Sequence, residues 1–173
     1  MEILVVVSVI AVISSFAISY GKLGQRQIAL YIEEQKIAEM IFRAKSLAVA
    51  TYQNPDKPKS CGYGLEINYQ GGAYSMFSYV PSTQPPDCSA ITRIQSDYRV
   101  EITSSKIGQG IVLKNDSQDS MYAVLFVPPA PRTLISNSIE GDLSSAPAKI
   151  YLETIDGSAR ADITVNLAGQ IDF

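Results

Sequence analysis

Histidine is absent from this sequence, and cysteine occurs only twice, at Cys61 and Cys88. Without histidine, the common catalytic triads and imidazole proton shuttles are excluded. With so few thiols, a zinc or copper site would have to be built from carboxylates, which is unusual. The sequence also contains no P-loop, no G-x-S-x-G elbow and no Cys-x-x-Cys pair. We therefore expect neither an enzyme nor a cofactor.

Charge is also scarce and unevenly distributed. The net charge of −3 gives no general electrostatic reason to bind nucleic acid or an anionic membrane surface. No charged residue occurs from Ile3 to Tyr20, and an apolar run of this kind is about long enough to cross a bilayer. We therefore predict that residues 1–24 form an apolar transmembrane or filament-core segment, and that residues 25–173 form a globular head with the rest of the helix.

The first proline is Pro55, so the sequence predicts one nearly continuous helix from Met1 to about Tyr52. Such a helix is roughly 78 Å long and must project from the head. Gly21 and Gly24 lie near its middle, and each costs about 1 kcal/mol relative to alanine. We therefore predict a bend or local melting at these glycines.

The second half of this helix is predicted to pack on the head through one apolar stripe. The stripe follows the i, i+3, i+4 spacing of a helix face and consists of Ile37, Met40, Ile41, Ala44, Leu47 and Ala48. The charged residues are expected mostly on the other faces, with Glu39 and Arg43 spaced as a favourable ion pair; they are Glu33, Glu34, Lys36, Glu39 and Arg43.

Short alternating segments after the helix predict an antiparallel β-sheet head, and hence an α+β fold. The predicted strands cover residues 62–69, 73–80, 98–103, 110–114, 121–127, 149–155, 162–167 and 170–173. Turns are expected at Gly71-Gly72 and at Gly157, and a long surface loop is expected after Pro128. Cys61 and Cys88 favour a disulfide made outside the cytoplasm, with two separate buried thiols as the alternative.

The segment from Glu2 to Ile13 resembles the start of mature type IV pilins and type II secretion pseudopilins. In that family one glutamate interrupts an otherwise apolar helix and pairs with the N-terminal amine of a neighbouring subunit. The resemblance implies an assembly role for Glu2 and subunit contacts by the apolar residues after it. These are Ile3, Leu4, Val5, Val6, Val7, Val9, Ile10, Val12, Ile13 and Phe16.

By this resemblance the chain is a filament subunit. Its implied partners are copies of itself, other pilins, a prepilin peptidase and an inner-membrane assembly platform. It would be stored in the inner membrane as a single-pass precursor and assembled into an extracellular or periplasmic filament. The family's basic leader and cleavage-site glycine are not in this sequence, so the sequence leaves open whether Met1 is the mature terminus.

The end of the sequence resembles the GspH/FimT-type branch of the family, in which a strand, a glycine turn and a short strand close the domain. Residues 163–171 carry this similarity, and residues 43–50 are similar to the end of that branch's helix. Some FimT-type pilins bind DNA through basic residues near the glycine turn. This sequence has Gln170, Ile171 and Asp172 there, so we do not expect DNA to be a partner.

Several alternatives remain open from the sequence. Glu2 could simply reach interfacial water at the end of the helix. The helix could also anchor the protein in a membrane without polymerising. A signal peptide fits poorly, because no basic region precedes the apolar run. A minor tip pilin with an adhesive or DNA-binding head is the other rival. Residues 115–119 cluster oxygen ligands that could hold calcium, although a solvated turn is favoured. The tyrosine series is assigned to packing; it comprises Tyr63, Tyr69, Tyr74 and Tyr79.

Overall fold

A computed structural model describes residues 2–52, 60–82, 88–89, 91–115, 117–128 and 132–173, with the side chains at 2, 4, 15–23, 51 and 52 excepted. The fold is α+β and its sheets are antiparallel. One helix, α1 (Glu2–Tyr52), spans 51 residues, as the proline-free sequence predicts. It continues through Gly21 and Gly24.

Nine strands follow the helix. They are β1 (Gly62–Asn68), β2 (Ala73–Tyr79), β3 (Arg99–Lys106), β4 (Ile111–Lys114), β5 (Ala123–Val127), β6 (Arg132–Ser136), β7 (Ala148–Thr154), β8 (Arg160–Val165) and β9 (Ile171–Asp172). A short 3-10 helix (Ser96–Tyr98) precedes β3. The first sheet has the order β3-β2-β1-β5-β6, and the second has the order β4-β7-β8-β9.

The predicted hairpins are confirmed. β1 pairs with β2 from Gly62↔Tyr79 to Asn68↔Ala73, and β7 pairs with β8 from Ala148↔Val165 to Glu153↔Arg160. β6 was missed by the sequence analysis, which assigned this region to a surface loop. It pairs with β5 along its whole length, so a partner strand, rather than its own short sequence, defines it.

The main core lies between α1 and both sheets. The predicted stripe is confirmed in its centre, since Ile37, Ile41, Ala44 and Ala48 are buried, while Met40 and Leu47 are partly buried at its margins. Burying a large aliphatic side chain contributes about 1.5–3 kcal/mol. This stripe therefore fixes the second half of the helix on the head.

A second, smaller core covers the opposite face of the first sheet. It contains Phe77, Tyr79 and Leu125 from the strands and Ile94 from the segment at residues 91–98. Gly141 holds this cover in place: its φ is +83°, and an added Cβ would lie 2.2 Å from the carbonyl oxygen of Ile94. The Ile94 N–H donates to the Gly141 carbonyl at 2.8 Å, so the two covering segments are joined at a point where only glycine fits.

The predicted disulfide is present. Cys61 and Cys88 are bonded, with 5.1 Å between their Cα atoms, and no free cysteine occurs among the described residues. Cys61 directly precedes β1, and its N–H donates to the carbonyl of Tyr79 at 2.7 Å. The bond therefore attaches the chain just before the covering segment at residues 91–98 to the open end of the β1–β2 hairpin.

Candidate assembly surface

The apolar residues predicted to contact neighbouring subunits lie on the first half of α1, and those with described side chains are exposed. Eight of them have described side chains, and their exposed fractions run from 50% at Val9 to 81% at Ile3. The eight are Ile3, Val5, Val6, Val7, Val9, Ile10, Val12 and Ile13. The side chains of Glu2, Leu4 and Phe16 lie outside the described part of the structure, as does every other side chain at residues 15–23, around Gly21.

A second set of exposed apolar side chains continues along the other half of the helix, on the side facing away from the head. We call this set the outer stripe; it comprises Ile28, Tyr31, Ile32, Phe42 and Val49. With 3.6 residues per turn these positions fall on one side, opposite the buried stripe. The sequence analysis missed the outer stripe because it assigned only one apolar face to this half. The spacing from Ile28 to Tyr31 and Ile32 was the available signal.

Together, the eight exposed residues of the first half and the outer stripe form what we call the assembly surface. Exposed apolar side chains grouped in this way are rare on monomeric soluble proteins and mark a surface that another apolar body covers. Among the described residues, no helix has the combined length and apolarity of a candidate membrane span.

Charged side chains on the second half of α1 depart from the sequence prediction. Glu33 and Glu34 are buried against the head rather than placed on an outer face. Glu33 accepts a hydrogen bond from the Lys36 ammonium at 2.7 Å through Oε1, and its Oε2 has no partner among the described residues. The predicted Glu39–Arg43 pair is not among the ion pairs of the described residues, and both side chains are exposed.

The position of Glu34 gives a pH-dependent contribution to stability. Burial, and secondarily the nearby Asp162 carboxylate, raises the pKa of Glu34 above its ordinary value. The folded state therefore holds this proton more tightly than the unfolded chain does. The stabilising contribution is fully present below the ordinary glutamate pKa and is lost as the pH rises through the raised value.

We expect Glu34→Gln to raise the denaturant midpoint of unfolding at pH 7, because the neutral amide removes a buried charge near Asp162. The gain should vanish near the ordinary glutamate pKa of about 4.3, where the wild-type carboxyl is itself protonated. Urea unfolding followed by circular dichroism at both pH values measures this. Glu39→Gln, at an exposed position on the same helix, is the control. An equal shift in both variants would contradict the role of burial.

In the oxygen-rich turn at residues 115–119, predicted as a possible calcium site, the described side chains form hydrogen bonds with other side chains of the protein. Asp119 accepts from Ser117 and from the Tyr151 hydroxyl, at 2.9 Å to Oδ2, and Asn115 donates to the Tyr122 hydroxyl. The hydrogen bond from Ser117 is the main reason that the pKa of Asp119 lies below its ordinary value. No group of three potential metal ligands occurs among the described residues, and Asp116 lies outside them.

The tyrosine series packs within the head. Tyr74 and Tyr79 are buried, while Tyr63 and Tyr69 are partly buried against the main core. Tyr69 meets Tyr122 edge to face, with 5.2 Å between ring centroids. Burial of Tyr69 raises its pKa well above the ordinary range. These rings therefore serve packing, as the sequence analysis favoured.

The end of the chain is also fixed to the helix. The Lys45 ammonium donates to the Gly169 carbonyl at 2.9 Å, in the glycine turn before β9. Gln170 and Asp172 are exposed on this turn, and Ile171 is half-buried.

Comparison of the chain with protein-family models, with curated proteins and with solved structures gives no match.

Proposed function

We propose that this chain is a structural subunit of a type IV pilus-like filament that polymerises through its N-terminal helix. The observation that carries the proposal is the single 51-residue helix whose second half is seated on the head while its first half presents uncovered aliphatic side chains. A filament of parallel copies would bury these side chains against one another. The head would then lie on the outside.

The outer stripe favours a filament over a membrane anchor that never polymerises. An anchor needs an apolar surface only in its bilayer segment. The outer stripe instead lies beside the head, from Ile28 to Val49, on the part of α1 that packs against the β-sheets. Neighbouring helices in a bundle would cover it along its whole length.

Three parts of this proposal rest on the sequence resemblance alone: the pairing of Glu2 with a neighbour's N-terminal amine, storage in the inner membrane, and processing by a prepilin peptidase. The exchange between membrane and filament is physically reasonable because both are apolar surroundings for the first half of α1. Hydrocarbon offers no net hydrophobic advantage over a neighbouring helix, so packing and polar pairing decide the balance.

The test is whether Phe42→Ser weakens assembly. Phe42 is 51% exposed on the outer stripe, so covering the rest of it contributes about half of the roughly 1.5–3 kcal/mol for a whole side chain. We expect the protein concentration needed for filaments to rise about 3- to 10-fold, since each 1.4 kcal/mol is a factor of ten. Electron microscopy and sedimentation of full-length protein after detergent removal measure this concentration.

The matched control is Val100→Ser, which removes an equally exposed apolar side chain from β3 of the head. We expect it to leave the assembly concentration unchanged. Normal filaments from Phe42→Ser at the wild-type concentration would exclude the outer stripe from the subunit interface. Absence of any filament from the wild-type protein under these conditions would instead support the anchored, non-polymerising alternative.

A further inference from the structure

The outer stripe is accompanied by two charged residues of opposite sign. Glu39 and Arg43 are both exposed, and they lie one helical turn apart on the side of α1 that carries Phe42. At 3.6 residues per turn, the two positions differ by about 40° around the helix axis and by about 6 Å along it. A neighbouring helix that covers Phe42 therefore also meets both charges.

The head of the same chain does not use these two charges. Glu39 and Arg43 form no ion pair with any residue that the structure describes, although their spacing would allow one along the helix. Each of the other charged side chains described on α1 is buried against the head or bonded to another group of the same chain; these are Arg26, Glu33, Glu34, Lys36 and Lys45. An acid and a base are thus left over on the face that the filament would cover.

Covering the outer stripe changes the surroundings of both charges. On a free subunit they are exposed to water. In a covered interface an unpaired charge loses this hydration, which opposes association strongly, and a partner of opposite sign offsets the loss. The outer stripe of a second copy offers such a partner to each of them, namely Arg43 for Glu39 and Glu39 for Arg43.

We propose that Glu39 of one subunit pairs with Arg43 of the neighbouring subunit, and that this ion pair sets the register between their helices. The inference rests on the proposed filament. Parallel helices displaced by four residues, about 6 Å, bring the two positions level. Apolar contacts are non-directional, whereas a charge pair in an interface fixes register and suppresses wrong partners. The pair therefore adds specificity to a surface whose affinity comes from apolar contacts.

The test uses two charge-reversed variants that should fail alone and assemble together. Glu39→Arg and Arg43→Glu each place like charges opposite one another at every contact between subunits. We expect each variant alone to need at least about tenfold more protein for assembly than the wild type. An equimolar mixture restores opposite charges between unlike subunits and should assemble near the wild-type concentration. Sedimentation and electron microscopy after detergent removal measure assembly, and mass spectrometry of the pellet should find the two variants in equal amounts.

The mixture distinguishes pairing between subunits from pairing along one helix. If Glu39 pairs with Arg43 of its own chain, each variant loses that pair. Mixing does not restore it, because every subunit still carries two like charges. Only pairing between subunits predicts that two variants which fail alone assemble with each other.

Glu101→Arg and Lys106→Glu are the matched controls, since they make the same charge changes at exposed positions of β3. Both should assemble like the wild type, alone and mixed. Thermal unfolding should be unchanged in all four variants, because all four residues are exposed.

Three results would overturn the proposed pair while wild-type filaments still support the filament itself. The first is that either α1 variant assembles at the wild-type concentration. The second is that their mixture assembles no better than its components. The third is that the β3 controls are impaired to the same degree. If the wild type forms no filaments, both proposals are overturned together.

Discussion

Replacing Val9 with lysine should abolish self-assembly of the full-length protein while leaving the head folded. Val9 is 50% exposed in the middle of the first half of α1, and none of the described side chains of residues 3–14 belongs to either core of the head. In a bundle of parallel helices this position would be surrounded by the aliphatic side chains of neighbours. A lysine there would be desolvated without a partner carboxylate.

The expected effect is large because the substitution is repeated in every subunit. Burying an unpaired charge costs several kcal/mol even after the surroundings relax. A cost of about 3 kcal/mol per subunit raises the concentration needed for assembly by more than about 100-fold. Removal of detergent from purified protein, followed by sedimentation and electron microscopy, measures assembly directly. This design avoids any effect of the lysine on membrane insertion in cells.

Two controls separate the buried charge from other effects. Val9→Leu keeps an aliphatic side chain at the same position and should assemble near the wild-type concentration. Gln109→Lys adds the same charge to an exposed turn of the head and should also assemble normally. Thermal unfolding should be the same in all three variants, since none of these positions belongs to either core. Filaments of Val9→Lys at the wild-type concentration would rule out the first half of α1 as the interface.

The parts of the fold that local chemistry determines could be predicted from the sequence. The helix is predicted by the absence of proline and by apolar residues at helical spacing. The hairpins are predicted by glycine turns between segments of alternating apolar and polar residues. Gly72 and Gly157, with φ of +56° and +70°, supply those turns as expected. The division of the strands into two sheets was not predicted, because pairings such as β1 with β5 join residues about 60 positions apart.

The errors have the same physical origin. Glu33 and Glu34 looked like surface residues because carboxylates are seldom buried, yet the head covers both of them. The exposed aliphatic side chains described in the first half of α1 belong to an apolar run that is visible from composition alone. The outer stripe needed knowledge of which side of the helix the head covers.

The disulfide connects two parts of the head that also share an apolar core and polar contacts. The segment at residues 91–98 covers the second core, and the Tyr79 hydroxyl donates to the Arg93 carbonyl there at 3.0 Å. The Arg93 guanidinium in turn contacts Asp142 at 2.6 Å. Both members of that ion pair are about half exposed, so the pair contributes little by itself. The covalent bond therefore adds a constraint that this exposed ion pair does not supply.

We expect the double variant Cys61→Ala/Cys88→Ala to lose about 3–4 kcal/mol of unfolding free energy. The bond closes a loop with a sequence separation of 27, and the chain-entropy model assigns that loss to the greater freedom of the unfolded chain. For a head of this size the loss corresponds to a decrease in Tm on the order of 10 °C. The main core between α1 and the sheets does not contain either cysteine, so the variant should still fold.

Urea unfolding of the full-length protein in detergent, followed by circular dichroism, measures this loss. Chemically reduced wild-type protein should match the double variant, because both lack the same constraint. Ser89→Ala, at an exposed residue next to Cys88, should match the oxidised wild type. If reduction leaves the unfolding midpoint unchanged, the noncovalent contacts of Ile94, Gly141 and Arg93 must hold the cover alone. In that case the disulfide would not contribute to the free energy of unfolding.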